Sequence, residues 1–170
     1  MIAGKKILAF IPAKAHSRRV PGKNTKLLNG KPLLFWTIEC AKKSKYIDEI
    51  VVSTDSEQIA ELAKSYGASV PFLRPAEFAT DTASGMEPVL HALTEVKGYD
   101  FLVELQVTSP FRSSDDVDGC IEYCMANNAK ACISVAPLDI DPTWIYSRQS
   151  SGQLIPLMAS EQKNESQQLF

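Results

Sequence analysis

Four basic residues and two small hydrogen-bonding side chains fall within one short stretch of this chain: Lys14, Ser17, Arg18, Arg19, Lys23 and Asn24. Pro12, Pro21 and Gly22 punctuate the stretch, and the apolar run Ile7-Leu8-Ala9-Phe10-Ile11 leads into it. Lys and Arg supply charge and turn backbone supplies N–H donors, a combination that suits a polyphosphate. A solvated basic loop has the same composition. Its place directly after a first strand favours the polyphosphate, because ligands of open α/β sheets bind at the carboxyl ends of strands.

Further polar groups gather where other strands are expected to end. Asp55 closes the run Val52-Ser53-Thr54-Asp55; it suits a ribose or metal contact, and equally the cap of a following helix. The loop Leu73 to Ser84, LRPAEFATDTAS, carries Arg74, Glu77, Thr80, Asp81, Thr82 and Ser84. Such a density of directional donors and acceptors suits a planar base, or an ordinary loop with a helix cap at Thr82 or Ser84. In LQVTSPFR, residues 105–112, Gln106 is placed to donate to a sugar hydroxyl and Arg112 to meet an anion, unless the segment is only a turn.

Asp139 and Asp141, near Trp144, have the spacing of a carboxylate pair, but a proline-bounded loop favours surface exposure. His16 reads as an exposed turn residue rather than a catalytic base. Cys40, Cys120, Cys124 and Cys132 lack a CxxC pair and read as small buried residues of a reducing compartment. With two histidines no nucleophile–His–Asp set is convincing, and the Walker and dinucleotide glycine motifs are absent. Nucleotidyl transfer fits what remains, since it needs cations for a triphosphate, a metal ion and a positioned hydroxyl.

Alternating elements must position these groups. The pattern predicts strands over Lys6–Ile11, Glu49–Thr54, Val70–Leu73, Phe101–Gln106 and Ala131–Val135. It predicts helices over Leu33–Lys43 after Pro32, Glu57–Tyr66 capped by Asp55 or Ser56 and stopped by Gly67, Met86–Val96, and Asp115–Asn127 capped by Ser113 or Ser114. Alternation at this spacing implies an α/β fold with a mainly parallel sheet and helices on both faces. Residues 1–136 read as the nucleotide-binding core. After Ala136, Pro137, Pro142 and Pro156 interrupt polar text, and residues 137–170 read as the start of an incomplete further region.

Composition sets outer bounds. A chain of 170 residues with a net charge of −2 gives no general reason to expect nucleic-acid or membrane-surface binding. Its first apolar run is too short for a signal peptide or a bilayer span, so the cytoplasm is the expected location.

Taken in order, these segments resemble the acylneuraminate cytidylyltransferases, which activate sialic acid and related nonulosonic acids. The family's opening is typically IPARxxSKRIPGKN, and here it is IPAKAHSRRVPGKN. Asn29-Gly30-Lys31-Pro32-Leu33, the stretch from Tyr46 to Asp55, and LRPAEFATDTAS are also similar, while LQVTSPFR is similar to LQPTSPLR. The PGKN ending favours the acylneuraminate branch over CMP-Kdo synthetases. The likeness runs to about Val135.

The resemblance implies a three-layer α/β/α sandwich of the glycosyltransferase A-like type, with CTP and Mg²⁺ as partners. It implies that Lys14, Ser17, Arg19 and Lys23 hold the triphosphate and that Asn24 touches ribose or phosphate. It further implies that Arg74, Ser84 and the backbone near Ala79 read cytosine, and that Gln106 contacts the acceptor sugar. The anomeric hydroxyl would attack the α-phosphorus and expel pyrophosphate. The metal ligands are not identifiable.

Several positions depart from the pattern. Lys14 stands for an Arg, Val107 for a Pro, Trp144 about where many relatives carry a Lys, and Ser166 where an Arg is usual. The family's dimer arm and metal-binding aspartates lie beyond Phe170, so the expectation is a preserved nucleotide site beside an incomplete acceptor and metal site. A homodimer is implied only through that arm. The alternatives are a non-catalytic nucleotide-binding module and another sugar nucleotidyltransferase.

Overall fold

The computed structural model describes residues 1–17, 20–80, 83–137, 139 and 141–158. In chain order the elements are β1 (Ile7–Pro12), β2 (Leu27–Leu28), β3 (Lys31–Pro32), α1 (Leu33–Lys43), β4 (Glu49–Ser53) and α2 (Glu57–Ser65). They continue with α3 (Glu87–Glu95), β5 (Phe101–Glu104), α4 (Ser114–Ala126), β6 (Tyr146–Arg148) and β7 (Leu154–Pro156).

β1 is the central strand, and five of its six residues, Ile7 to Ile11, are fully buried. An unbroken apolar run, rather than alternation, is what a strand covered on both faces requires. It pairs in parallel with β4, Ala9 opposite Ile50 and Ile11 opposite Val52, and with β5, Ala9 opposite Val103. The sheet order is therefore β4-β1-β5.

The two faces of β1 feed different clusters. Ile7, Ala9 and Ile11 pack with Leu34 and Ile38 of α1, Ile59 and Ala63 of α2, and Val117 and Ile121 of α4. Phe10 points the other way, against Val89 and Ala92 of α3, with Phe72 and Leu102 beside them. Helices on both faces of a parallel sheet make the expected α/β/α arrangement.

Local chemistry explains the helix ends. Ser56, not Asp55, caps α2: its side chain accepts from Ile59 N–H, and Gly67, at φ +90°, takes the left-handed turn beyond the helix. Ser113 and Asp116 form a reciprocal capping box at the start of α4. Lys42 and Lys43 sit in the last turn of α1, where cations complement the helix dipole.

Two expected strands do not form. Over Val70–Leu73 the chain runs beside β4 and is bonded only at its flanks: Ser69 N–H donates to Ile50 O (2.8 Å), Val52 N–H donates to Ser69 O (2.9 Å), and Arg74 N–H donates to Thr54 O just past β4 (2.7 Å). Pro71 lies between and has no N–H to continue a ladder. Ala131–Val135 is also irregular, with Ile133 and Val135 exposed. Its residues are apolar enough for a strand, but a strand needs a partner in register, and none of the described residues pairs with it. β5 also ends two residues early, at Glu104.

Contacts divide the chain into a unit of residues 1–133 and a second of residues 134–170. In the second, β6 and β7 form an antiparallel hairpin, and Asp141 caps the short 3-10 turn Pro142–Trp144 by accepting from Thr143 N–H at 2.9 Å. Among the described residues, no helix is long and apolar enough to cross a membrane.

Candidate functional site

The basic loop leaves β1 at Pro12 and is pinned at once. Ala13 N–H donates to Ser53 O (2.9 Å), extending the parallel pairing one residue beyond β1. Ala15 N–H donates to Asp55 Oδ1 (2.7 Å), a charge-assisted bond from the loop to the end of β4. Where the loop returns, buried Asn24 donates from Nδ2 to Lys14 O (2.8 Å). The two arms of the loop are thereby tied to each other and to the neighbouring strand's carboxyl end.

The return arm is a turn around Gly22. Its φ of +63° is the left-handed conformation that glycine adopts without strain, and its carbonyl accepts from Thr25 N, Lys26 N and Thr25 Oγ1. Lys23 opens the 3-10 turn Lys23–Thr25 that follows. Lys14, Ser17 and Lys23 are each half-buried. Arg18 and Arg19, like Asp81 and Thr82, lie outside the described residues. Asn24 Oδ1 is buried with no hydrogen-bond partner among the described residues.

Arg74 lies on the same side of β4. Only 6% exposed, it donates from Nε to Ser53 Oγ (3.0 Å) and from Nη2 to Ser53 O (2.7 Å). Burial pushes its pKa below the usual guanidinium value, and the nearby Asp55 carboxylate opposes that shift. Asp55 thus serves two groups at once, the loop backbone and a buried cation. Sequence reasoning weighed it as a cap or a ligand; the structure makes it a brace. The available signal was a polar triplet, Ser53-Thr54-Asp55, directly after an apolar strand.

The remaining positions are held by their own loops. Ala79 ends the 3-10 turn Ala76–Ala79, and Ser84 Oγ accepts from Met86 N–H (3.3 Å) ahead of α3. Gln106 is exposed after β5; its side chain donates to Glu104, and its carbonyl accepts from Arg112 Nη2 at 3.1 Å. The bonds therefore tie Asn24 to Lys14, Ala15 to Asp55 and Arg74 to Ser53 around the carboxyl end of β4, whereas Ser84 and Gln106 are positioned by separate segments.

A cavity of about 580 Å³ opens between α1 and the start of α4, lined among others by Lys31, Phe35, Trp36, Lys43, Arg112 and Ser113. Arg112 Nη1 is buried there without a hydrogen-bond partner among the described residues. No described residue of the basic loop lines this cavity. His16 is exposed, as expected.

The described residues do not build a metal centre. No three His, Cys, Asp or Glu side chains among them are placed to share an ion. Asp55 is engaged by Ala15, and Asp141 by its own turn.

Comparison with known proteins bears on this arrangement. A family model described as Cytidylyltransferase matches residues 8–153. The CMP-N,N'-diacetyllegionaminic acid synthase of Legionella pneumophila is 45% identical over 154 residues, covering 88% of this chain and 66% of that protein. The N-acylneuraminate cytidylyltransferase of Escherichia coli is 41% identical over 128 residues, covering 75% of this chain and 30% of that protein. The chain therefore spans about two thirds or less of these relatives. Among solved structures, CMP:2-keto-3-deoxy-manno-octonic acid synthetase complexed with CTP superposes with a TM-score of 0.65 at 24% identity, covering 73% of this chain and 49% of that one. That likeness is one of fold.

Proposed function

The chain belongs to the cytidylyltransferase family, and on that premise we propose that it binds CTP and transfers CMP to the anomeric hydroxyl of a sialic acid-like nonulosonic acid, releasing pyrophosphate. The observation that carries the reading is the pinned basic loop at the carboxyl end of the parallel sheet, where α/β folds bind their ligands. Two relatives named for legionaminic and acylneuraminic acid chemistry support the acceptor class.

In this proposal Lys14, Lys23 and Arg19 neutralise the triphosphate, and Ser17 with the loop N–H groups donates to its oxygens. As the acceptor oxygen bonds to the α-phosphorus and the bond to pyrophosphate breaks, negative charge moves to the leaving group. Cations gathered on one loop beside that leaving group lower the barrier by neutralising the charge. Lys14 is a point charge rather than a bidentate fork, so its role is neutralisation rather than orientation.

Asn24, whose Oδ1 has no hydrogen-bond partner among the described residues, touches the ribose or a phosphate. Ser84 and the backbone near Ala79 face the base. Arg74, which the resemblance assigns to cytosine, is 6% exposed and bonded to Ser53. In this proposal it therefore supports the base site by holding the end of β4 rather than by touching the base, and Gln106 takes the acceptor. A divalent ion such as Mg²⁺ enters only as a neutralising partner of the triphosphate itself. A cytoplasmic location and a homodimer belong to the same proposal.

Calorimetric titration with CTP, with ATP, GTP and UTP as controls, tests the nucleotide half. Selective CTP binding is expected, and equal binding of all four would sink the cytosine-reading roles. Pyrophosphate release on adding a nonulosonic acid tests the transfer and separates an enzyme from a nucleotide-binding module.

A further inference from the structure

Two of the four cysteines, on separate segments, meet at a place the reaction does not use. Cys120 projects from α4, and Cys132 follows in the irregular segment after it; their Sγ atoms are 3.5 Å apart and both residues are partly exposed.

The approach is built by the end of α4. Asn128 takes a left-handed conformation, φ +48°, and Ala129 N–H returns to Cys124 O (3.0 Å) while Asn128 N–H returns to Met125 O (3.2 Å). This closes the helix with a Schellman motif and turns the chain back at its end. Cys124 is buried with its Sγ against Ala129 O (3.3 Å), and Cys40 is buried on α1, so neither competes for the pair.

We propose that Cys120 and Cys132 form an oxidative modification site that closes to an intramolecular disulfide under a peroxide-class oxidant. One thiolate attacks a peroxide oxygen, the O–O bond breaks, and a sulfenic acid and hydroxide result. The second thiolate attacks the sulfenyl sulfur; the S–S bond forms and the S–O bond breaks. Two thiols and one hydrogen peroxide become one disulfide and two waters. The sulfurs must approach by about 1.5 Å to reach disulfide bonding distance, and the exposed, irregular segment holding Cys132 can supply that shift. The closed bond fastens the last residues of the first unit to α4. Burial, followed by the contact with Cys132, raises the Cys120 thiol, so its thiolate is scarce at neutral pH and closure should quicken as pH rises.

The test is to treat the folded chain with hydrogen peroxide, alkylate remaining thiols, and measure intact mass and cross-linked peptides. Cleavage after Glu122 and after Lys130 puts Cys120, Cys124 and Cys132 on three different peptides. The expected result is loss of two of the four alkylatable thiols, a mass lower by about 2 Da before alkylation, and a Cys120–Cys132 linked peptide that reductant removes. Cys124→Ser should retain the link and Cys132→Ser should abolish it. The wild-type peptide map stands even if a variant folds poorly. A Cys124–Cys132 link, a lone sulfinic acid without a link, or four alkylatable thiols at a peroxide dose that cross-links the urea-unfolded chain would each overturn the proposal.

Discussion

Removing the Asp55 carboxylate should both loosen the basic loop and leave a buried cation without its neighbour. Asp55→Ala loses the bond that Ala15 N–H makes at 2.7 Å, a charge-assisted contact worth about 1.5–3 kcal/mol. Arg74 keeps its two bonds to Ser53 but loses the carboxylate that offsets its burial. Asp55 is half-exposed, so solvent screens part of that second loss, and about 1 kcal/mol is the reasonable share. The sum is about 3 kcal/mol. For a chain of this size that corresponds to a fall in melting temperature of about 6–12 °C.

Asp55→Asn separates the two effects. Its amide oxygen still accepts from Ala15, so the loss should be about 1–2 kcal/mol, from charge alone. Urea unfolding gives the stabilities, and titration with CTP gives the functional arm. Because an untied loop must be ordered on binding, CTP affinity should fall about tenfold or more in the alanine variant and less in the asparagine variant. An alanine variant within about 0.5 kcal/mol of the parent, or an asparagine variant as damaging as alanine, would refute the reasoning that Asp55 braces the loop through this bond.

Other outcomes follow from the same structure. Lys23→Ala should weaken CTP by about tenfold while leaving cytidine binding nearly unchanged; equal losses for both ligands would remove Lys23 from the phosphates. Ser113→Ala should cost about 1 kcal/mol in urea unfolding, because it removes the capping box at α4, with no change in the denaturant slope. Asp48, Asp100 and Asp116 are held below the usual carboxylate range, mainly by backbone N–H donors at Ile7, Lys6 and Ser113. A depressed folded pKa contributes stability that is present above the unfolded value and lost as pH falls through the folded one. Unfolding midpoints should therefore drop as pH falls below about 4, and the Asn triple variant should flatten that slope. An unchanged slope would deny these carboxylates their part in acid unfolding.

Much of the scaffold could be read without coordinates because its signals are local. The buried run Ile7–Ile11, the apolar spacing of Leu33–Lys43, the stop at Gly67 and the cap at Ser113 each depend on residues a few positions apart. A two-faced parallel sheet follows from their alternation. The order of polar segments at strand ends likewise identified the basic loop and its family.

What the tertiary structure alone decided are contacts between residues distant in sequence. That Asp55 serves Ala15 and Arg74 instead of capping α2 depends on β1 and β4 lying side by side. Val70–Leu73 has a strand's composition, yet Pro71 and a partner met only at its flanks keep it irregular. The cysteines read in sequence as small buried residues; the turn at Asn128 brings two of them together at the surface instead. Periodicity records which residues seek burial. Which hydrogen-bonding groups meet once they are buried is settled by strand register and chain reversal, and those are set by packing across the whole sheet.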